Sequence, residues 1–181
     1  MFASLRLVAV ALCLWLVGGS IAIHPAAIAA PTPPISSTVY MASLFHFSGQ
    51  RPTNLGVKGH RLAPCPSSPN CVSSQSRDPG HFIEPFSYEG TPDAAIDRLK
   101  GILQNTENAE IIDAKPGYLY AEFTSKIMGF VDDVEFFAAD DDGVVHVRSA
   151  SRLGESDLGV NRKRVETLRQ QFNGSDGIPN P

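Results

Sequence analysis

Apolar residues recur at helical spacing in two stretches of the chain. The first stretch follows Thr91, which can cap a helix, and Pro92, which fits the first helical turn. Its spacing predicts an amphipathic helix that ends near Asn105. The apolar face of this helix is formed by Ala95, Ile96, Leu99, Ile102 and Leu103.

The second helical stretch lies near the C terminus of the chain. Ser156 or Asp157 can cap it, and Asn173-Gly174 provides a stop signal. Its apolar residues lie three, four and seven positions apart, which is typical of a helix with one buried face. These residues are Leu158, Val165, Leu168 and Phe172.

Between the two helices the apolar pattern changes to alternation, which is typical of β-strands. Gly117 and Gly143 lie in sequences that favour tight hairpin turns. The pattern predicts an α+β domain in which a four-stranded antiparallel meander has one helix before it and one after it, both on one face of the sheet. The predicted strands cover residues 109–114, 118–125, 130–138 and 144–151.

The first 30 residues have the order of parts found in a signal peptide. Arg6 is followed by the apolar run 7–17 and then by small residues up to Ala30. Apolar character continues to Ile23, so an uncleaved membrane anchor is the alternative. In both cases we expect export of the folded part, to the periplasm or, in a photosynthetic organism, to the thylakoid lumen.

A long irregular arm is predicted before the first helix. Residues 31–53 are interpreted as a linker that includes the short apolar segment 39–47, which is either an edge strand or a docking segment. Residues 48–76 are rich in Gly, Pro, Ser and Asn, a composition that favours irregular structure. The folded domain is expected to span 54–173, with a disordered tail at 174–181.

The charge and the motifs of the chain exclude several classes of protein. Its 15 basic and 19 acidic residues give a net charge of −4, which argues against non-specific nucleic-acid binding. The sequence contains no glycine-rich phosphate loop, zinc-binding helix or nucleophile elbow. We therefore expect neither a metal ion nor a cofactor.

Two cysteines, Cys65 and Cys71, remain once the leader with Cys13 is removed. An exported protein with an even number of cysteines favours a structural disulfide, although a redox-active pair is the alternative. Five intervening residues is not the usual spacing for zinc or for a redox motif. Closing so short a loop contributes about 2 kcal/mol, so this bond is expected mainly to shape the arm.

Strand alternation collects polar side chains on the face opposite the apolar one. This face is either solvated, with ion pairs of at most about 1 kcal/mol each, or it is the floor of a cleft beneath the arm that binds a polar or anionic ligand. A third hypothesis is acid–base catalysis by His146, Glu135 and Asp133, with Arg148 holding an anion. The polar residues on this face are Tyr118, Tyr120, Glu122, Asp133, Glu135, His146 and Arg148.

Asp132 differs from these residues because alternation places it on the apolar face, where a carboxylate needs a partner. A basic cluster at 161–164 begins the final helix, where positive charge opposes the helix dipole. This cluster is either an exposed basic turn or the source of a buried arginine partner for Asp132. The candidate binding residues are Arg148, Asp132, Arg152, Asn161, Arg162 and Arg164.

Three sequence blocks, APCPSSPNCVSSQ, FVDDVEF and RSASRLGESDLGVNRKRVE, resemble the family catalogued as domain of unknown function 1499. The resemblance covers roughly residues 54–172. It implies an exported or membrane-associated bacterial domain, also found in cyanobacteria and plastids, and it supplies no catalytic residue. It favours one site built from the three blocks, with the cysteine loop as a lid.

The favoured function is a non-enzymatic binding or interaction module for an unknown protein or a small polar ligand. The alternatives are a hydrolase-like enzyme with its site on the polar sheet face, and an accessory protein of an envelope or thylakoid complex. Nucleic acid is not expected as a partner, and membrane association is expected only if the leader is retained. A deep pocket favours a ligand or an enzyme, whereas a flat face favours a protein partner.

Overall fold

The computed structural model describes residues 47–139 and 143–174. The predicted leader, most of the linker and the tail from residue 175 onward lie outside the described residues. Six strands and two helices are present. In chain order they are β1 Cys71–Ser73, β2 Phe86–Ser87, α1 Pro92–Gln104, β3 Ala109–Lys115, β4 Tyr118–Thr124, β5 Val131–Ala138, β6 Val144–Ser151 and α2 Val160–Gly174.

The predicted antiparallel meander is present as β3, β4, β5 and β6, but the sheet has six strands rather than four. Both additional strands, β1 and β2, pair with β6 and share its outer edge. They contain only three and two residues, too few to show alternation in the sequence. The α+β class is confirmed, and the strand count is corrected.

Both helices pack on one face of the sheet and form the main core with it. Thr91 caps α1 as predicted, because its Oγ1 accepts a hydrogen bond from Ala94 N at 3.3 Å. Asp157 caps α2 through its Oδ2, which accepts from Asn161 N at 2.7 Å. The largest fully buried apolar side chains of this core are Ile83, Phe86, Leu99, Leu103, Leu119, Val134, Phe136, Val145, Val147, Val165 and Phe172.

Two apolar residues that the patterns place in regular elements, Leu158 in the final helix and Phe130 in the strand 130–138, lie outside those elements. Leu158 is 95% exposed and lies before α2 with a positive φ of 54°, because the turn capped by Asp157 delays the start of the helix. Phe130 is 39% exposed and precedes β5, where its ring stacks on Phe47 at 5.5 Å. In both cases the apolar period continues one or two residues beyond the regular element.

The irregular arm, residues 47–70, covers the second face of the sheet. Leu62 packs against Tyr118 and Tyr120 in a second, smaller apolar cluster. Glu135 is 0% exposed and Arg148 is 5% exposed in consequence. The prediction of a solvated polar face is therefore wrong, because the arm covers this face of the sheet.

The predicted disulfide is present in the arm. Cys65 and Cys71 are bonded, with 5.7 Å between their Cα atoms. Cys71 is buried and is the first residue of β1, whereas Cys65 is half-buried. The bond therefore attaches the end of the arm to the edge of the sheet.

Candidate functional site

Asp133 and Arg152 form a buried ion pair beneath the arm. Arg152 donates from Nε to Asp133 Oδ2 at 2.9 Å and from Nη2 to Oδ1 at 2.7 Å. The Tyr120 hydroxyl lies 2.6 Å from the same Oδ1. Hydrogen bonds to Asp133 and Glu122 raise the pKa of Arg152. The carboxylate of Asp133 is therefore fully engaged and closed to a substrate.

Glu122 connects this pair to the arm. Its Oε1 lies 2.5 Å from Arg51 Nε and 2.5 Å from Arg152 Nη2. Burial raises the pKa of Glu122, but hydrogen bonds from Arg51, Tyr120 and Arg152 outweigh it and leave the pKa below its ordinary value. The arm is thus attached to the sheet through a shared carboxylate.

Glu135 and Arg148 face each other across β5 and β6 in the register of the sheet. Glu135 Oε1 accepts hydrogen bonds from Gly56 N at 2.7 Å and from the Tyr118 hydroxyl at 2.9 Å. Its Oε2 lies 3.6 Å from Arg148 Nη1, and among the described residues neither of these atoms has a hydrogen-bond partner. Burial raises the pKa of Glu135 and lowers that of Arg148.

His146, the third catalytic candidate, lies on the same face but near the sheet edge. It is half-buried, and its Nδ1 lies 3.2 Å from Ser74 Oγ. Ser74 Oγ also accepts a hydrogen bond from Val147 N at 3.0 Å, which extends the pairing between β1 and β6. Since Glu135 and Asp133 are both sealed beneath the arm, the three candidates do not form an open acid–base site.

On the other face of the sheet, Asp132 pairs with Arg164 of α2. Arg164 Nη1 also donates to Asn161 Oδ1 at 2.7 Å and to Ser149 Oγ at 3.1 Å. Asn161 is fully buried, and its Nδ2 donates to Asn70 O at 3.0 Å. The predicted buried partner of Asp132 is therefore found, and Asn161 joins it to the cysteine loop.

Arg162 points in a different direction from Arg164. Its Nη1 donates to Phe82 O at 2.8 Å and its Nη2 donates to Gly80 O at 3.1 Å. Lys163, between the two arginines, is exposed. The basic cluster thus holds the sheet and the loop before β2 onto α2, and only Lys163 fits the interpretation as an exposed basic turn.

An open cleft of about 1000 Å³ lies between the arm, the cysteine loop and the segment 73–81. Gln75 joins the segment 73–81 to the arm, because its Oε1 accepts a hydrogen bond from Leu62 N at 2.9 Å and its Nε2 donates to His60 O at 3.2 Å. Three cationic side chains line the cleft, namely Lys58, Arg61 and Arg77. Cys65 and Ser67 contribute the wall formed by the cysteine loop.

The opposite wall of the cleft contains Asp78 and His81. Asp78 Oδ1 accepts a hydrogen bond from Gly80 N at 2.9 Å, and Oδ2 lies 2.9 Å from His81 Nδ1. These two contacts lower the pKa of Asp78. His81 Nε2 lies 3.1 Å from Ser68 O, so this wall is attached to the cysteine loop.

The sequence predicts a cleft beneath the arm with the polar sheet face as its floor, whereas the lining of the observed cleft contains none of the candidates on that face. The available signal was the composition of the arm and of the segment 73–81, in which lysine, arginine and histidine are interspersed with glycine and serine in GVKGHR and SQSRDPGH. The sheet-face candidates Asp133, Glu135, Arg148 and Arg152 do come together, but as a closed layer beneath the arm. Asp132, Asn161 and Arg164 come together on the other face.

Taken together, fold and site define an α+β domain in which a disulfide-bearing arm covers a buried polar sheet face and borders an open cleft. The family model described as "Protein of unknown function (DUF1499)" matches residues 61–172, and the chain belongs to this family. No protein of curated function matches the chain significantly. The family match includes the cysteine loop, both helices to Phe172 and the whole sheet.

Neither a metal-binding cluster nor a membrane-spanning helix is found among the described residues. No group of three or more His, Cys, Asp or Glu side chains in this part of the chain is placed to hold a metal ion. Within the same residues no helix has the length and apolar character needed to cross a bilayer.

Proposed function

We propose that this protein is an exported binding module that holds a small polar ligand in the cleft between the arm and the cysteine loop. The observation that carries the proposal is the cleft itself, whose volume of about 1000 Å³ is that of small-molecule sites. Most of its lining residues have polar side chains, such as Arg61, Gln75 and Ser76. Polar groups fix the orientation of a bound molecule and give specificity.

The walls of the cleft are held in place by hydrogen bonds within the protein. Gln75 joins the arm to the segment after β1, and His81 joins that segment to the cysteine loop. Arg61 is oriented by its hydrogen bond from Nη2 to Gln75 O at 2.8 Å. A preformed site loses less conformational entropy on binding, which favours ligand affinity.

A binding module is favoured over a hydrolase-like enzyme for a specific reason. General acid–base catalysis needs a titratable group within hydrogen-bonding reach of the substrate. Asp133 accepts two hydrogen bonds from Arg152. Glu135 is fully buried and accepts a hydrogen bond from Gly56 N of the arm. Neither carboxylate lines the cleft, and Asp78 and His81, which do line it, are engaged with each other, with Gly80 N and with Ser68 O.

Export is part of the proposal, and two features support it. The leader has the parts of a signal peptide. The bond between Cys65 and Cys71 is of the kind that persists in oxidising compartments such as the periplasm or the thylakoid lumen. A role as an accessory protein of an envelope or thylakoid complex is compatible with these features.

The proposal is tested by filling the cleft. Ser67 is exposed, lines the cleft and accepts substitution without loss of a buried contact, so Ser67→Trp places a large ring inside it. Ser87→Trp is the matched control, because Ser87 is an exposed strand residue that does not line the cleft. Both variants and the parent are incubated with the low-molecular-mass fraction of the cells that export the protein.

Native mass spectrometry then measures what each protein retains. We expect the parent and Ser87→Trp to retain the same small molecule and Ser67→Trp to lose it. Equal retention by Ser67→Trp would place the ligand elsewhere, and absence of any retained molecule from the parent would argue against a binding module.

A further inference from the structure

The cleft has the opposite charge to the protein that contains it. The chain carries a net charge of −4, yet the cleft is lined by Lys58, Arg61 and Arg77 against one carboxylate, that of Asp78. A concave site lined by one sign of charge concentrates ions of the other sign. The excess of positive charge is therefore a local property of the cleft and not of the whole chain, and it favours a ligand of negative charge.

The cations of the cleft have no counterion in the part of the chain that the structure describes. Among the described residues, the side chains of Lys58 and Arg77 make no hydrogen bond and no ion pair, and Arg61 makes only its hydrogen bond to the Gln75 carbonyl. Arginines elsewhere in the fold do pair with carboxylates. They are Arg51, Arg148, Arg152, Arg164 and Arg169.

Among the described residues, Asp78 forms no ion pair with any of the three cations. One of its oxygens accepts from Gly80 N, and the other lies against His81 Nδ1, so both are occupied by the wall that they belong to. The cleft therefore presents two guanidinium groups and one ammonium group that pair with no carboxylate of the described residues. An arginine fork matches the two oxygens of a carboxylate or phosphate, and lysine adds a point charge.

We propose that the ligand is a small anion with at least two negative charges, carried by carboxylate or phosphate groups, and that Lys58, Arg61 and Arg77 bind it. This inference rests on the proposed function, since it names the ligand class for the same cleft. The two negative charges of the ligand match the excess of the three cations of the cleft over its one carboxylate, that of Asp78. Its size is set by the cleft volume of about 1000 Å³.

The test compares two double variants that remove the same charge. Lys58→Gln/Arg77→Gln removes two exposed cations from the cleft, and neither side chain supports a buried contact. Lys115→Gln/Lys126→Gln removes two exposed cations from the ends of β3 and of β4, outside the cleft lining. The disulfide is kept intact, and equal melting temperatures confirm that both variants are folded.

Isothermal titration calorimetry measures the binding of three probes to the parent and both variants: citrate, pyrophosphate and the neutral disaccharide sucrose. We expect citrate or pyrophosphate to bind the parent and the Lys115/Lys126 variant equally. Binding to the Lys58/Arg77 variant should be weaker by about tenfold or more, and added salt should weaken binding to the parent.

The outcomes separate this inference from the proposed function. One outcome is that sucrose binds to the parent but not to Ser67→Trp, while neither anion binds. This outcome would overturn the anionic class of ligand and leave the binding module in place. Equal anion binding by both double variants would show that the cations of the cleft do not hold the anion, which also overturns the inference. If no probe binds and no cellular molecule is retained, both proposals fail.

Discussion

At the scale of single residues, Asp132 shows how a charge is accommodated on an apolar face. Its carboxylate lies among the core positions of β5 and pairs with Arg164, which also covers the ring of Phe123 at 4.7 Å. Both side chains are only 11% exposed. Removal of one member of such a pair leaves the other charged, desolvated and unpaired.

Asp132→Ala is expected to lower the free energy of unfolding by about 3 kcal/mol or more, because Arg164 loses its carboxylate partner. Urea denaturation measures the change. Asp113→Ala is the control, since Asp113 pairs with Lys115 at the surface and its loss should cost about 0.5 kcal/mol or less. Similar losses in the two variants would contradict a role for Asp132 in attaching α2 to the sheet.

The pKa values of two glutamates of the buried polar face are expected to be shifted in opposite directions. Burial raises the pKa of Glu135 above its ordinary value of 4.5, whereas arginine contacts leave the pKa of Glu122 below the same value. Carbon-detected NMR of the side-chain carboxyl groups during a pH titration measures both midpoints in one sample. A midpoint of Glu135 below that of Glu122 would show that the arm does not seal the sheet face.

These shifts carry opposite consequences for stability. The contribution of Glu135 to the free energy of unfolding is fully present below pH 4.5 and is lost as the pH rises through its raised folded-state pKa. The contribution of Glu122 is present above pH 4.5 and is lost as the pH falls through its lowered pKa. Both contributions are therefore largely present near pH 4.5, and they are lost on opposite sides of it, that of Glu135 as the pH rises and that of Glu122 as the pH falls.

At the scale of elements, the cysteine loop connects three parts of the fold. Cys65 lines the cleft and Cys71 begins β1. Between them, Asn70 O accepts from Asn161 Nδ2 at the start of α2, and Asn70 Nδ2 donates to Gly154 O at 2.5 Å. The loop is therefore a wall of the cleft that is held at both ends.

The double variant Cys65→Ser/Cys71→Ser is expected to lose about 2 kcal/mol of stability, because its unfolded chain is no longer constrained by the short loop. It should also bind the cleft ligand more weakly, since one wall is released. Denaturation and calorimetry with and without a reducing agent measure both effects. The reducing agent should lower both the stability and the ligand affinity of the parent and leave both unchanged in the double variant. A parent unaffected by the reducing agent would contradict this role of the disulfide.

Elements with a strong local pattern could be predicted from the sequence. The helix α1 agrees with prediction from its cap at Thr91 to its end at Gln104, and β6 agrees residue for residue. The strands β1 and β2 could not be predicted, because each exists only through its pairing with β6. Local periodicity contains no information on such pairing.

The candidate site was predictable only in part, for a related reason. Alternation correctly placed Asp133, Glu135 and Arg148 on one face and Asp132 on the other. The burial of that face depends on contacts such as Gly56 N to Glu135 Oε1, between residues 79 positions apart. The cleft depends on the folded path of an irregular arm, which has no periodic signal in the sequence.

At the scale of the whole molecule, charge is distributed in two distinct ways. The sheet and α2 contain paired charges, as in Asp133 with Arg152 and Asp132 with Arg164, which hold layers of the fold together. The cleft contains cations that pair with no carboxylate among the described residues. This division separates the charges that stabilise the fold from those available to a ligand, and it supports a binding module.

The most direct test of this account is the comparison of ligand retention between Ser67→Trp and Ser87→Trp by native mass spectrometry. The account predicts that the parent and Ser87→Trp retain one small molecule of the same mass and that Ser67→Trp, whose cleft is filled, retains none. Retention of that molecule by Ser67→Trp at the level of the parent would contradict the assignment of the cleft as the binding site.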